Sequence, residues 1–308
     1  MWINIETNPT WRGIQRVRQL TRLVITGKKP LQMFCSVAGI GKTETVLEEM
    51  ADHNIPPHYS SPTTPEGFCQ DLWQHRNSSY FLDDCDRLAR SEPCANIAKM
   101  AYGPQHLVVV PNSLKIQKNE ERRLAGDDKY NPNIPPPTFT LGNNHGMIWN
   151  SNKPFTDPAT VNKEMAMDFA ALVSRGLDPY WVPGDAQSFF NYTVWMILDG
   201  MLRRHRQGGR PHEGGFKLQH QQEVLNFLCT RANRLKDITP RMAWKLAMAR
   251  RHDLDYETAW DDQLEPQVIH HGLILPEKIP LLISPAMRRT GEPPRGEPAP
   301  ADLTPPVD

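Results

Sequence analysis

Residues 31–50 read LQMFCSVAGIGKTETVLEEM, which is an apolar strand, a glycine-rich turn and an amphipathic helix in direct succession. The turn at 36–43, SVAGIGKT, follows the phosphate-loop pattern G-x-x-x-x-G-K-[ST], with Ser36 in place of the first glycine. Such a turn points successive N–H groups at a phosphate, and the helix behind it presents its positive N-terminus. The alternative, a strand-to-helix turn that binds nothing, is disfavoured because the strand, the G-K-T core and the helix occur together.

The side chains of this turn suit a nucleotide with its metal ion. Lys42 is expected to reach the β- and γ-phosphates, and Thr43 to offer its hydroxyl to magnesium. Gly39 and Gly41 provide the backbone freedom that the turn needs. With ATP and Mg²⁺ as the ligands, the predicted cofactor-binding residues are Ser36, Val37, Ala38, Gly39, Ile40, Gly41, Lys42, Thr43 and Thr45.

Two further strand ends carry polar side chains that a nucleotide site needs. The apolar stretch 80–82 ends in Asp83, suited to binding magnesium, and Asp84, suited to activating water. The stretch 146–152, GMIWNSN, ends in amides, and an asparagine there could hold the attacking water. A solvated helix start and an asparagine-rich turn are the respective alternatives. Downstream of a phosphate loop, the acids favour the functional interpretation.

Strand and helix patterns alternate before residue 183, which predicts a parallel α/β sheet flanked by helices. The pattern then becomes helical from 185 to about 261, including one continuous helix over 189–206. The individual strands are predicted at 31–36, 80–82, 105–110 and 147–150, and the first helices at 42–53 and 65–74.

These patterns predict three parts of the chain. Residues 1–183 form an α/β nucleotide-binding core, and residues 184–265 form a small all-helical lid. Residues 266–308 form a C-terminal extension that is proline-rich and largely disordered. Its last 18 residues contain six prolines and almost no large apolar side chains, so they cannot offset the entropy lost on ordering. The extension is a candidate tether for a partner protein.

Composition excludes several classes of protein. The 308 residues carry 35 Lys plus Arg and 35 Asp plus Glu, so the chain is not a polybasic nucleic-acid binder that relies on excess charge. Five cysteines without a C-x-x-C pair argue against a disulfide framework or a zinc site. No apolar run is long enough to span a membrane, and the N-terminus lacks a signal-peptide pattern. We therefore expect a cytoplasmic protein with no membrane partner.

A charged segment at 118–129, followed by the proline cluster 131–137, predicts a long exposed loop inside the core. Its basic residues could contact the phosphates of DNA, yet the acidic residues nearly cancel them, and a solvated surface is the alternative. Tyr130 near the loop tip could instead grip polypeptide. The basic residues in question are Lys115, Lys118, Arg122, Arg123 and Lys129.

Five short motifs follow one another between about residues 15 and 255: SVAGIGKT at 36–43, FLDDCD at 81–86, IWNSN at 148–152, ALVSR at 171–175 and TPR at 239–241. In order and spacing they resemble the motifs of the AAA+ ATPases, a family of P-loop NTPases. Several connecting stretches look most like the small AAA+ ATPases of phages and mobile elements. The resemblance implies a P-loop sheet, a helical lid and ATP hydrolysis.

The resemblance also implies roles for single residues. Lys42 and Thr43 match the Walker A pair and Asp83 the Walker B metal ligand. Asp84 stands where many relatives carry glutamate, although replication initiators of the family also show paired aspartates. The remaining matches are Asn152 for sensor 1 with Asn150 as runner-up, Arg175 for an arginine finger reaching a neighbouring subunit, and Arg241 for sensor 2.

Both arginines have a structural alternative: Arg175 could bind carbonyls at a helix end, and Arg241 could be a surface residue in a first helical turn. The resemblance therefore implies a homo-oligomeric ATPase that acts on DNA, for example in helicase loading or replication initiation. A nucleotide-dependent switch or scaffold with little turnover is the second hypothesis, since Ser36 and the short Asp84 suit weak catalysis. A protein remodeller is the third.

Overall fold

The strand before the phosphate loop, β1 (Leu31–Cys35), lies inside a five-stranded parallel sheet in the computed structural model. The strand order is β2-β3-β6-β1-β7, so β1 lies between β6 and β7, and Leu31 is in register with Met147. The other strands of this sheet are β2 (Tyr59–Ser60), β3 (Ser79–Leu82), β6 (Gly146–Ser151) and β7 (Asp178–Trp181). The structure describes residues 4–55, 59–60, 64–83, 91–103, 105–111, 114–143, 145–152, 178–202, 206–207, 210–211, 215–252, 255–270, 272–279 and 282.

Helices cover both faces of the sheet, which explains why its inner strands are buried at every position and mostly apolar. Phe34, Phe81 and Ile148 point to one face, where the helices are α1 (Pro9–Ile25) and α2 (Lys42–Asp52). Their sequence neighbours point to the other face, covered by α3 (Pro65–Gln74) and α4 (Glu92–Ala101). The predicted fold class, a parallel sheet flanked by helices and followed by a helical lid, is confirmed.

Two ion pairs join α1 to α2 behind the phosphate loop. Arg18 contacts Glu48 at 2.9 Å, and both side chains are 32% exposed. Arg22 contacts Glu49 at 2.6 Å, but here the acid is fully buried. The hydrogen bond and the charge of Glu49 raise the pKa of Arg22. A buried carboxylate depends on its partner far more than an exposed one does.

Residues 105–141 form a packed insertion, which corrects two predictions. The predicted strand at 105–110 is β4 (Leu107–Val109), and it pairs antiparallel with β5 (Thr138–Thr140) instead of joining the parallel sheet. The predicted loop over 118–137 begins as a helix, α5 (Leu114–Ala125). The second error has an identifiable cause: Asn119 is buried and exchanges two hydrogen bonds with the Asn131 backbone, at 3.0 and 2.9 Å, which folds the start of the proline cluster back on the helix.

A chain of buried hydrogen bonds lies at the amino end of the parallel strands, opposite the end at which the phosphate loop follows β1. The hydroxyl of Tyr102 lies 2.7 Å from His145 Nε2, and His145 Nδ1 lies 2.9 Å from the carbonyl of His75. A carbonyl only accepts, so Nδ1 carries the proton and Tyr102 donates to Nε2. Burial is the main cause that lowers the pKa of His145 to about 4. Burial likewise raises the pKa of Tyr102.

The lid has its own apolar core, built from α6 (Ala186–Leu198), α7 (Leu218–Arg231), α8 (Pro240–His252) and α9 (Tyr256–Asp261). The predicted helix over 189–206 is wrong beyond Leu198, because Gly200 turns the chain with a φ of +94°. Arg206 then begins a short hairpin of β8 (Arg206–Gln207) and β9 (Arg210–Pro211). Short 3₁₀ turns occupy Ile5–Thr7 and Ala232–Arg234.

The first part of the C-terminal extension packs on the lid. Leu273, Leu275 and Ile279 contact the lid core, and the N–H of Ile274 donates to Gln187 Oε1 at 2.7 Å. Residues from 283 onward lie outside the described part of the chain. The boundaries at 183 and 265 remain predictions.

Candidate functional site

The phosphate loop runs from the carboxyl end of β1 to the first turn of α2. Ser36 is fully buried, and its N–H donates to the carbonyl of Ser151 at 3.3 Å, which ties the loop base to β6. Gly39 and Gly41 have φ values of +84° and +102°, the left-handed conformation for which glycine was predicted. Thr45 donates its hydroxyl to the Gly41 carbonyl at 2.9 Å, so that hydroxyl stabilises the loop-to-helix junction.

Lys42 is buried at the base of the loop, with only 6% of the residue exposed. Its ammonium lies 2.5 Å from Ser36 Oγ, 3.3 Å from the Ser36 carbonyl and 3.4 Å from the Val37 carbonyl. It also donates to Asn152 Oδ1 at 3.2 Å, so the predicted Walker A lysine meets the predicted sensor 1 amide. Four oxygens therefore surround one ammonium group.

Thr43 and Asp83 meet beside this lysine. The Thr43 hydroxyl lies 3.0 and 3.2 Å from the two carboxylate oxygens of Asp83. The Asn150 amide nitrogen lies 3.5 Å from the hydroxyl and 3.4 Å from the carboxylate. Asn150 is 1% exposed, and its Oδ1 has no hydrogen-bond partner among the described residues.

This donor set fits Mg²⁺. A hydroxyl, a carboxylate and an amide oxygen are hard oxygen ligands, and Mg²⁺ is usually held by one or two such groups together with substrate phosphates. The described residues contain no cluster of three or more His, Cys, Asp or Glu side chains that would hold a metal without a phosphate. Thr43 and Asp83 would hold the ion directly, and the amide nitrogen of Asn150 lies within 3.5 Å of both side chains.

A cavity of about 390 Å³ extends from the phosphate loop to the lid. Its loop side contains Gly39, Gly41, Lys42 and Thr43, together with Asp83 and Asn152. Charged and polar residues line part of the remainder, namely Gln15, Arg18, Glu44, Glu48 and Asp199. Large apolar side chains from α1, α6 and α8 line much of the rest and offer a surface on which a base could stack. These are Trp11, Ile14, Tyr192, Trp195, Met196 and Trp244.

The lid touches the loop at its tip. The Arg241 backbone N–H donates to the Gly39 carbonyl at 3.2 Å, and the Arg241 side chain lines the cavity. A Cβ on Gly39 would lie 2.8 Å from both Thr239 Oγ1 and Arg241 Cβ. The start of α8 is therefore in direct contact with the phosphate loop, where a lid residue would meet a bound nucleotide.

The structure brings together most, but not all, of the predicted site. Lys42, Thr43, Asp83, Asn150 and Asn152 converge. Val37 and Ala38 are exposed at the loop tip, and Ile40 is buried beneath it. Asp84 and Arg175 lie outside the described residues.

Sequence reasoning missed the aromatic wall of the cavity. Its residues lie on three helices, and α1 is more than a hundred positions away from both α6 and α8, so no local pattern connects them. One signal was available for α1: Ile14, Val17 and Val24 recur at helical spacing, and all three are buried. That pattern predicts a helix, but it does not predict that the first turns of the helix line the cavity.

No protein-family model matches this chain, and neither does any curated protein. Among solved structures, one match is NtrX from Brucella abortus in complex with ATP, at 13% identity and a TM-score of 0.43. It covers 83% of this chain and 53% of the NtrX chain, so this chain spans about half of that protein. Another is the replication initiator DnaA bound to AMPPCP and single-stranded DNA, at 12% identity, a TM-score of 0.27 and 82% coverage of each chain.

The fold assignment rests on this chain's own sheet order, phosphate loop and lid. No helix in the described ranges has both the length and the apolar character that a membrane crossing requires.

Proposed function

We propose that this chain is an AAA+ ATPase that binds ATP with Mg²⁺ beneath its lid and hydrolyses it. The observation that carries the proposal is the convergence of Lys42, Thr43 and Asp83 with two amides at one end of an aromatic-lined cavity. A strand-to-helix turn without a ligand requires none of these contacts. The cavity has room for a nucleoside beyond the phosphate loop.

Each polar group then has a role in phosphoryl transfer. The loop N–H groups and Lys42 hold the β- and γ-phosphates, and Thr43 and Asp83 hold the metal ion. When it is bound, Mg²⁺ would neutralise the charge that develops on the γ-phosphate. Asn152 orients the attacking water, Asp84 accepts its proton, and Arg241 contacts the phosphates from the lid. Arg175 of a neighbouring copy stabilises the transition state.

The proposal extends to assembly and to the substrate. An arginine that acts on a neighbour's nucleotide requires a homo-oligomer. We propose that this oligomer acts on DNA as a motor, a helicase loader or a replication protein of phage or mobile-element type. The exposed basic residues of α5 support a DNA contact, although Arg123 is already paired with Glu120 at 2.6 Å. The proline-rich tail would tether a partner protein.

A second candidate function is a nucleotide-dependent switch with little turnover. The observation that favours it is the short contact between Ser36 Oγ and Lys42, at 2.5 Å. This contact restrains the lysine that hydrolysis needs. The two candidates differ in turnover and agree on ATP binding.

The test is the steady-state ATPase rate of the purified chain, alone and with single-stranded or duplex DNA. Lys42→Ala serves as the blank, because it removes the phosphate-binding cation. Turnover above the blank that DNA stimulates supports the DNA-acting ATPase. Turnover that ignores DNA supports a protein client. ATP binding with a rate at the blank level supports the switch, and absence of ATP binding refutes both candidates.

Mixing variants tests the arginine finger. Arg175→Ala should lose hydrolysis while it still binds ATP, and Asp84→Asn should lose hydrolysis in its own site. Mixed oligomers contain interfaces with an intact Asp84 and an intact Arg175, so part of the activity should return. Wild-type turnover by Arg175→Ala alone would refute the assignment.

A further inference from the structure

The hydroxyl of Ser36 occupies a position where the phosphate-loop pattern has no side chain at all. The residue is fully buried between the end of β1 and the start of the loop. Its Oγ lies 2.8 Å from the Val37 carbonyl and 2.5 Å from Lys42 Nζ. The serine therefore contacts both the loop backbone and the lysine that is proposed to capture phosphate.

These two contacts define where the hydroxyl proton points. A carbonyl oxygen only accepts, so the single proton of Ser36 is donated to Val37. The ammonium of Lys42 has only protons to offer, so it donates to an Oγ lone pair. The hydroxyl thus presents lone pairs, and no proton, toward the lysine. It cannot donate to a phosphate oxygen while the bond to Val37 persists.

The ammonium of Lys42 has three protons and, among the contacts described above, at least four oxygen neighbours in the loop base and on Asn152. A phosphate oxygen that binds Lys42 must replace at least one of these neighbours. Three of them are 3.2 Å or farther away, whereas Ser36 Oγ is at 2.5 Å. Hydrogen bonds to charged groups are stronger than those between neutral groups, and the short contact is the one that resists exchange most.

We propose that Ser36 is a positioning residue that holds Lys42 against the loop base and thereby weakens the capture of phosphate groups by this site. The inference rests on the proposed nucleotide site and adds a control on its affinity. A chain with glycine or alanine at this position lacks the competing oxygen. Its lysine should engage a phosphate more readily.

The backbone allows this substitution. Among the described residues, the non-glycine positions with a left-handed φ are Asn54 and His106, so Ser36 lies in a conformation that alanine adopts without strain. Ser36→Ala therefore removes the hydroxyl and keeps Cβ. Ser36→Thr keeps the hydroxyl and adds a methyl group, so it separates the effect of the oxygen from that of packing.

The experiment measures dissociation constants for ATP, ADP and adenosine by tryptophan fluorescence, since Trp11, Trp195 and Trp244 line the cavity. Ser36→Ala should bind ATP about tenfold more tightly than the wild type, given the strength of hydrogen bonds to charged groups. ADP affinity should rise as well. Adenosine affinity should not change, because adenosine has no phosphate to reach Lys42. A general loosening of the site would change all three.

A double-mutant cycle with Lys42→Ala tests whether the serine acts through the lysine. In the Lys42→Ala background, Ser36→Ala should no longer tighten ATP binding. Ser36→Thr should lie closer to the wild type than to Ser36→Ala.

Equal ATP affinity in the wild type and Ser36→Ala overturns this inference and leaves the proposed function intact. Tightening that persists without Lys42 also overturns it. If neither protein binds ATP at any concentration, the proposed function fails and this inference fails with it. Circular dichroism and thermal unfolding confirm that each variant is folded.

Discussion

Replacing Gly39 with alanine would place a methyl group between the phosphate loop and the start of the lid. The new Cβ would lie 2.8 Å from Thr239 Oγ1 and 2.8 Å from Arg241 Cβ, which is closer than Cβ atoms in proteins approach other heavy atoms. The residue also has a φ of +84°, a conformation that L-residues other than glycine disfavour. The substitution therefore adds a steric cost to a backbone cost.

A second glycine separates these two costs. Gly126 follows α5 with a φ of +65°, and a Cβ there would meet no atom within 4 Å. Gly126→Ala should therefore show the backbone cost alone, about 1 kcal/mol. Gly39→Ala should add the cost of overpacking, about 1–3 kcal/mol.

The steric cost can be relieved if the start of α8 moves away from the loop. That movement would break the hydrogen bond from the Arg241 N–H to the Gly39 carbonyl. Gly39→Ala should then also lose affinity for ATP, because the cavity between loop and lid would open. Gly126 does not line the cavity, so its variant should bind ATP like the wild type.

The assays are thermal unfolding and ATP titration by tryptophan fluorescence on the wild type and both variants. In a chain of this size, 1 kcal/mol lowers the midpoint temperature by about 2–4 °C. Gly39→Ala should unfold several degrees below Gly126→Ala and bind ATP more weakly. If the two variants match in both assays, the described contact between loop and lid does not exist in solution.

Three further predictions concern residues away from the loop tip. The pKa of His145 is lowered from its ordinary 6.5 to about 4, so as the pH falls the unfolded chain takes up a proton on this histidine before the folded chain does. The free energy of unfolding therefore decreases by about 3 kcal/mol in all as the pH falls from 6.5 through about 4. Denaturant unfolding across this pH range should show a decrease in the free energy of unfolding for the wild type that is absent for His145→Gln. The same pH dependence in both proteins would contradict this prediction. Asn150→Ala should raise the Mg²⁺ concentration for half-maximal ATPase activity about tenfold, as loss of groups around a metal site does; an unchanged Mg²⁺ titration would place the amide outside the site. Arg22→Ala should cost about 2–3 kcal/mol because it leaves the buried Glu49 without its arginine, whereas Arg18→Ala should cost about 1 kcal/mol or less, since both side chains of that pair are partly exposed to solvent. If Arg22→Ala and Arg18→Ala lowered the free energy of unfolding in urea by the same amount, the argument from the burial of Glu49 would be contradicted.

Three strands of the sheet, β1, β3 and β6, and the phosphate loop were predictable because their signals are local, whereas β2 and β7 were not predicted. An apolar strand, two glycines and a G-K-T core within 15 residues specify β1, the loop and α2. Thr64 at the start of α3 was predictable for the same reason: its hydroxyl accepts from the Gly67 N–H at 3.1 Å, three residues away.

The insertion was predicted wrongly because its stability depends on distant contacts. The charged composition of 118–129 favours a solvated loop, and α5 buries just Ile116 and Asn119. The hydrogen bonds from Asn119 to Asn131, and the pairing of β4 with β5, hold the helix in place. The pattern of polar and apolar residues in this segment gives no information about a hydrogen-bond partner that lies 12 positions away, as Asn131 does from Asn119.

The sequence alone determined which residues can bind a phosphate and a metal ion, since that depends on side-chain chemistry and on spacing within single strand ends. Tertiary structure decided how those strand ends combine. Parallel pairing of β1 with β6 and of β3 with β6 brings Lys42 to Asn152 and Thr43 to Asp83. Packing of α1, α6 and α8 creates the aromatic cavity, because a pocket wall forms only where helices distant in the chain meet.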